Sequence, residues 1–422
     1  MNKLERFIYD SVKSKPWLKL LIRNIYQGVF DLLPRKKEFA KNPILFREGF
    51  FYGFHDTIPF SQDNRKVLSN KLSIDLKMPT KNDFIDVGYF NFDDTNFGEF
   101  GEFVKLGQTN AWNYHKGCRS QWIGNNRFIY NCTKSDKMIS KIVDINTREE
   151  KEISFPIDSV SSDGRYASSF SYERLEKYMP GYGYCHQDDI SFLSQAAPEK
   201  TGLYLIDIEF NTSRLIVTLE QLARLSEQEE NSKEGFHYVT HSLFSPDGRY
   251  LSFFHRWVGD DTRKRYTRLV IYNLETNTFE VAPTGYMVSH YVWNRKNQII
   301  AYCNLDGVDS HAILNIPDFS RSFPVAYPRL NSDGHQSFID DTSFITDTYP
   351  DKYRMAKLYK VDIAFDTVEL LASVYSPGKF QTKVPHKHIA CDLHPCVSRD
   401  GRFVCFDTVK SGVRSLAIMS LT

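Results

Sequence analysis

Cysteine is scarce in this chain: seven in 422 residues, odd in number and scattered, which does not make a disulfide framework and points to a reducing compartment. A dominant charge sign is missing too. The 53 Lys and Arg against 52 Asp and Glu leave a net charge of +1, which gives no global attraction to nucleic acid. The first residues carry no secretory signal, because Lys3, Glu5, Arg6 and Asp10 interrupt any apolar run and no small-residue cleavage site follows. Together these absences predict a cytoplasmic protein.

What the chain has in quantity is one turn phrase. Ser161-Ser162-Asp163-Gly164-Arg165, Ser245-Pro246-Asp247-Gly248-Arg249 and Ser398-Arg399-Asp400-Gly401-Arg402 each run into an apolar strand. Looser copies stand at Ser61 to Arg65, Gly124 to Arg127, Asn294 to Gln298 and Ile339 to Thr342. Asp-Gly suits a tight hairpin turn, since Gly accepts positive φ and Asp bonds its own backbone. Second hairpins follow several copies, as in RLVIYNLETNTFEVA and KLYKVDIAFDTVELLA. Two hairpins per unit make a four-stranded antiparallel sheet, and seven such units in series predict an all-β, seven-bladed β-propeller. The 14% aromatic content suits packing between blades and offers platforms for sugar rings.

The chain divides at about residue 37. Residues 1–37 form a helical arm, with Leu4, Phe7, Ile8 and Val12 at helical spacing and Trp17, Leu18, Leu21, Ile22, Ile25, Tyr26 and Val29 on one broad face. Lys3, Arg6, Lys13, Lys15, Lys19, Arg23, Arg35, Lys36 and Lys37 outnumber Glu5, Asp10 and Asp31. Such a basic amphipathic helix fits an anionic membrane surface, or packs on the propeller or a second subunit; it is too short and too charged to span a bilayer. Residues 38–422 are the propeller. The last repeat ends at RSLAIMSLT without a fourth strand, so a strand near 43–52 (PILFREGFFY) is expected to close the ring.

Histidines gather beside the repeat turns. His55, His115, His311, His386 and His388 read as hydrogen-bonding residues. In Cys391-Asp392-Leu393-His394, a Cys and a His three apart can both face a cation such as zinc, with His290 and His335 as further suppliers from other blades. A second constellation holds Tyr238, His241, His255, Arg256 and Trp257, with Arg174, Tyr182, Tyr184 and His186 before it. It suits β-elimination on a uronate: Arg256 to grip the carboxylate, His241 or His186 as base, Tyr238 to pass a proton to the leaving oxygen.

The phrases SPDGRYLSFFHRW, SDGHQSF with ITDTYPD, and CDLHPCVSRDGRFVCFDT resemble the blades of the oligogalacturonate-lyase and ulvan-lyase type propellers, over roughly residues 51–422. The resemblance implies a divalent metal, zinc or alternatively manganese, on His290, His335, Cys391 and His394. It also implies a catalytic set on His115 or His186, Tyr238 or His241, and Arg256. The expected function is lyase-like chemistry on acidic oligosaccharides or polysaccharides. The alternatives are a protein of capsule or O-antigen glycan assembly, peripheral at the inner membrane, and a non-catalytic interaction platform.

Overall fold

A computed structural model describes residues 16–93, 100–184, 192–225, 235–259, 265–381 and 388–422. The fold starts from the repeated turn. In the copy at 245–249, Ser245 Oγ donates to Asp247 Oδ1 at 2.6 Å, and the same oxygen accepts the Arg249 N–H at 3.1 Å. The Tyr250 N–H then donates to Ser245 Oγ at 2.9 Å, and Gly248 takes φ +73°. The copies at Ser161 and Ser398 repeat this network bond for bond. In the looser copies at 61–65 and 294–298, Asn64 and Asn297 take the positive φ instead.

Each turn joins the first two strands of a blade. The described residues build seven sheets, seated in a ring. Blade 4 shows the pattern, with strands Phe236–Phe244, Tyr250–Val258, Arg265–Asn273 and Thr278–Val281 in simple antiparallel order. First strands of neighbouring blades face one another, as Val288–Trp293, Gln336–Phe338 and Cys396–Val397 do, so they line the central channel. Every residue of Tyr250–Val258 is buried, because neighbouring blades cover both faces of the sheet. Aromatic-rich clusters fill the seams; one joins Phe51, Phe92, Phe128 and Phe403 across blades 1, 2 and 7.

The repeated turns meet on one rim. Ser162 Oγ donates to the Pro246 carbonyl, Asn297 Nδ2 to Asp247, Arg295 to the Arg399 carbonyl, and the Arg399 N–H to Asn64 Oδ1. The loops that enter each first strand therefore lie on the opposite rim.

Closure is shared between two blades. Ile44–Glu48 pairs with Ser415–Met419 as the fourth strand of blade 7, and after Gly49, at φ +79°, Phe50–Phe51 becomes the first strand of blade 1. Upstream, Phe39–Ala40 adds a fifth strand to blade 6. The arm contains a helix, Pro16–Asp31, whose last turn rests on blade 6: Arg354 donates two 2.6 Å bonds to the Asp31 carboxylate, and the Phe30 ring meets Tyr353 edge-on at 5.1 Å. No described helix is long and apolar enough to cross a membrane.

Candidate metal and substrate site

On the rim opposite the repeated turns, histidines gather around Phe54. This ring is fully buried and meets His55, His241 and His394 at 4.7, 4.9 and 4.9 Å, with His335 at 5.7 Å and His290 at 6.0 Å. Residues from blades 1, 4, 5, 6 and 7 thus share one neighbourhood. The ring centroids of His290 and His335 are 4.1 Å apart, and those of His335 and His394 4.3 Å.

Carboxylates orient these rings. His335 Nδ1 lies 2.9 and 3.0 Å from the two oxygens of Asp347, which also accept the backbone N–H groups of His335 and His394. His290 Nδ1 lies 3.1 Å from Asp333 Oδ1, which Ser289 Oγ also contacts at 2.6 Å. A carboxylate on Nδ1 fixes the tautomer and leaves Nε2 as the outward donor, the arrangement that metal-ligating histidines favour. Backbone irregularities aim the side chains. Pairing shifts register at Val288/His290 and at Thr240/Leu243, and His241 and His394 hold φ of +52° and +47°.

Burial, and after it repulsion from neighbouring imidazoles and, for His241, from Lys116 and Arg256, hold His55, His115, His241 and His394 well below the ordinary imidazole range, so they are neutral at pH 7. His335 is the exception. Burial lowers it, but the Asp347 carboxylate outweighs that and raises it. Asp392 is pushed up to about 6 by burial, whereas Asp333, despite burial, is held at about 2 chiefly by His290.

The sequence-derived ligand set needs one correction. His290, His335 and His394 come together, but Cys391 does not join them. Its side chain packs with Phe380 and Val409, its Sγ contacts the Asp392 carbonyl, and burial drives its thiol up to about 12. The spacing argument assumed that residues three apart share a face, as in a helix, yet 391–394 is irregular chain that precedes the strand Cys396–Val397 and in which His394 turns to φ +47°. Asp392 and His394 face the channel, while Leu393 joins the apolar cluster of blades 6 and 7. Ligand atoms of His115, Asp392 and His394 all lie within 4.8 Å of one another. Both ring nitrogens of His394 and of His115, and Nε2 of His55, are buried and have no hydrogen-bond partner among the described residues. Buried polar atoms seldom stay unpaired, and neutral imidazoles beside carboxylates fit a divalent cation.

The second constellation borders the first. Arg256 and Tyr238 are cross-strand neighbours in blade 4, both buried. The Arg256 guanidinium lies over the Phe254 ring at 4.8 Å and donates to Met179 Sδ; among the described residues it has no carboxylate partner. Burial pulls it down to about 10, still cationic at neutral pH. Tyr238 feels the positive fields of Arg265 and Arg256, although burial raises its hydroxyl. His241 sets Nδ1 2.8 Å from Thr240 Oγ1 and meets Tyr182 at 6.1 Å. Tyr182 in turn stacks on His115 at 4.6 Å and 6°. His186 lies outside the described residues.

Sequence reasoning passed over Phe54, Asp333 and Asp347, and read His55 and His115 as satisfied by hydrogen bonds. Histidines inside or just before three first strands, at 290, 335 and 394, were the available signal; the orienting acids, Asp333 in a loop and Asp347 at a strand end, gave none. His311, by contrast, is a blade residue, bonded through Nδ1 to Gln336 Nε2 at 3.0 Å.

No protein-family model matches the sequence, and no curated protein does. Solved structures do. Oligogalacturonate lyase from Vibrio parahaemolyticus superposes with a TM-score of 0.58 at 13% identity, over 91% of this chain and 99% of that one. An oligogalacturonate lyase in complex with manganese gives 0.59 at 14% identity, over 92% and 99%. The fold is that of oligogalacturonate lyase. The likeness extends around the whole ring, and it establishes architecture at this level of identity.

Proposed function

We propose that this propeller is a metal-assisted lyase that cleaves uronate-containing oligosaccharides by β-elimination. The observation that carries the reading is Arg256: a buried cation that has no acid partner among the described residues, beside a carboxylate-oriented histidine cluster. A buried guanidinium favours an anion that supplies two acceptor oxygens, and a uronate carboxylate does so. Held there, the carboxylate has its charge offset and its C5 proton becomes more acidic. His241, kept neutral by burial, takes that proton; the C5 electron pair forms the C4–C5 double bond, the C4–O bond breaks, and the Tyr238 hydroxyl protonates the departing oxygen.

His290, His335 and His394, with Asp392 and His115 adjoining, are the residues that would hold the cation. When bound, a divalent ion adds positive charge beside the carboxylate and stabilises the enolate-like transition state. The donor set is nitrogen and oxygen, without the thiolate expected from Cys391. The similarity in fold to a lyase that binds manganese supports a divalent metal here, either manganese or zinc.

The test is a spectrophotometric assay for the unsaturated uronate product over a panel of acidic oligosaccharides. Product should form on at least one member, and Arg256→Ala should lower kcat/KM by about 10²-fold or more with bound metal unchanged. Silence across the panel from metal-loaded protein would refute the reading.

A further inference from the structure

We propose that the helix Pro16–Asp31 seats this protein on an anionic lipid surface, with the histidine-lined mouth turned toward that surface. One helix face is pinned: Arg354 grips Asp31, Gln27 Nε2 donates to the Lys352 carbonyl at 3.1 Å, and Phe30 packs on Tyr353. Another face is bare. Leu21, Ile25 and Val29, at steps of four residues, are 49, 61 and 55% exposed, and Leu32, just past the helix end, is 87% exposed. A contiguous exposed apolar stripe on a docked helix marks an interaction surface.

Charge selects the occupant. Residues 1–37 carry nine Lys or Arg against three acids, and one of those acids, Asp31, is neutralised by Arg354. Arg35, Lys36 and Lys37 stand exposed just past the helix. A second copy of the chain would set like charges against each other, whereas anionic headgroups complement them and the acyl boundary takes the stripe. The anchor also has a direction. The loop that holds the helix, 348–354, carries Tyr349, whose ring is 5.8 Å from that of His335. Helix and histidines therefore share a rim, and the repeated turns occupy the other. This inference stands apart from the lyase chemistry.

The experiment is co-sedimentation of the full-length protein with phosphatidylcholine vesicles, with and without about one-third phosphatidylglycerol. Binding should require phosphatidylglycerol, weaken with salt, and fall roughly tenfold or more in Ile25→Glu/Val29→Glu. Both positions are exposed, so an unchanged melting temperature will show that the variant folds. Hydrogen exchange on the bound protein should slow at 21–33 and 348–354 and stay unchanged at the 247–249 and 400–402 turns. No binding to anionic vesicles, binding that the variant retains, or protection on the turn rim would overturn the proposal. So would a dimer in solution that the variant converts to monomer.

Discussion

Within the site, the residue that does most to hold the geometry is Asp347, which fixes the His335 ring and receives the backbone N–H groups of both His335 and His394. Asp347→Asn should lower metal affinity about 10- to 100-fold, as loss of an orienting carboxylate typically does. Calorimetric titration of metal-free protein with manganese or zinc will show it, and unchanged affinity would make Asp347 merely structural. Single residues were the least legible part of the sequence. Arg256, Tyr238 and His241 could be nominated because they stand on one recognisable strand pair, and His290, His335 and His394 because each lies in or just before a first strand. Cys391 misled because its spacing to His394 was judged without knowing the backbone: in this irregular segment, with His394 at φ +47°, it is Asp392 whose ligand atom lies near that of His394. Asp333 was invisible, since its contact with His290 exists only once blades 5 and 6 are adjacent, and Asp347, which faces His335 across the first strand pair of blade 6, gave no sign until that register was known.

Among the elements, the repeated turn was fully legible, because a local hydrogen-bond network needs only five residues of sequence. Its carboxylate is an integral part. Asp247 bonds Ser245, Arg249 and Asn297, the last from the next blade. Asp247→Ala should therefore cost about 1–2 kcal/mol in denaturant unfolding, the usual range for loss of charge-assisted hydrogen bonds. The closing strand was legible by counting strands, though not its division at Gly49, where positive φ lets one segment serve blades 7 and 1. Deleting residues 1–37 should leave the melting temperature nearly unchanged, whereas deleting 1–48 removes the strand paired with Ser415–Met419 and should lower it sharply. Equal melting temperatures for the two truncations would contradict this account of closure.

At the scale of the whole molecule, a buried ionic hub ties blades 2, 3 and 4 beneath the site. Asp158 accepts Lys116 Nζ at 2.6 Å and both the N–H and Oγ of Ser242 at 2.7 and 2.9 Å, with Arg119 alongside. Burial raises the Asp158 carboxyl, but Arg119 and Lys116 outweigh it and hold it at about 2. Its folded value is thus depressed. The unfolded chain binds more protons between pH about 4 and about 2, so stability from this group is complete above that window and is lost as pH falls through it. Asp158→Asn should cost about 3–5 kcal/mol at pH 7, since buried Lys116 loses its counter-charge while Arg119 is left with Asp56 alone, at 2.6 Å. It should also flatten the decline in stability below pH about 4, measured by urea unfolding across that range.

Ring closure is what gathers His290, His335 and His394 into one place, and the account rests on their binding a cation there. Metal content by mass spectrometry, compared between the native chain and two variants after identical metal loading and desalting, tests this most directly. The native protein and Cys391→Ala should retain about one equivalent of manganese or zinc, and His335→Ala should retain almost none. A native protein that holds no metal, or a Cys391→Ala variant that loses it while His335→Ala keeps it, would contradict the account.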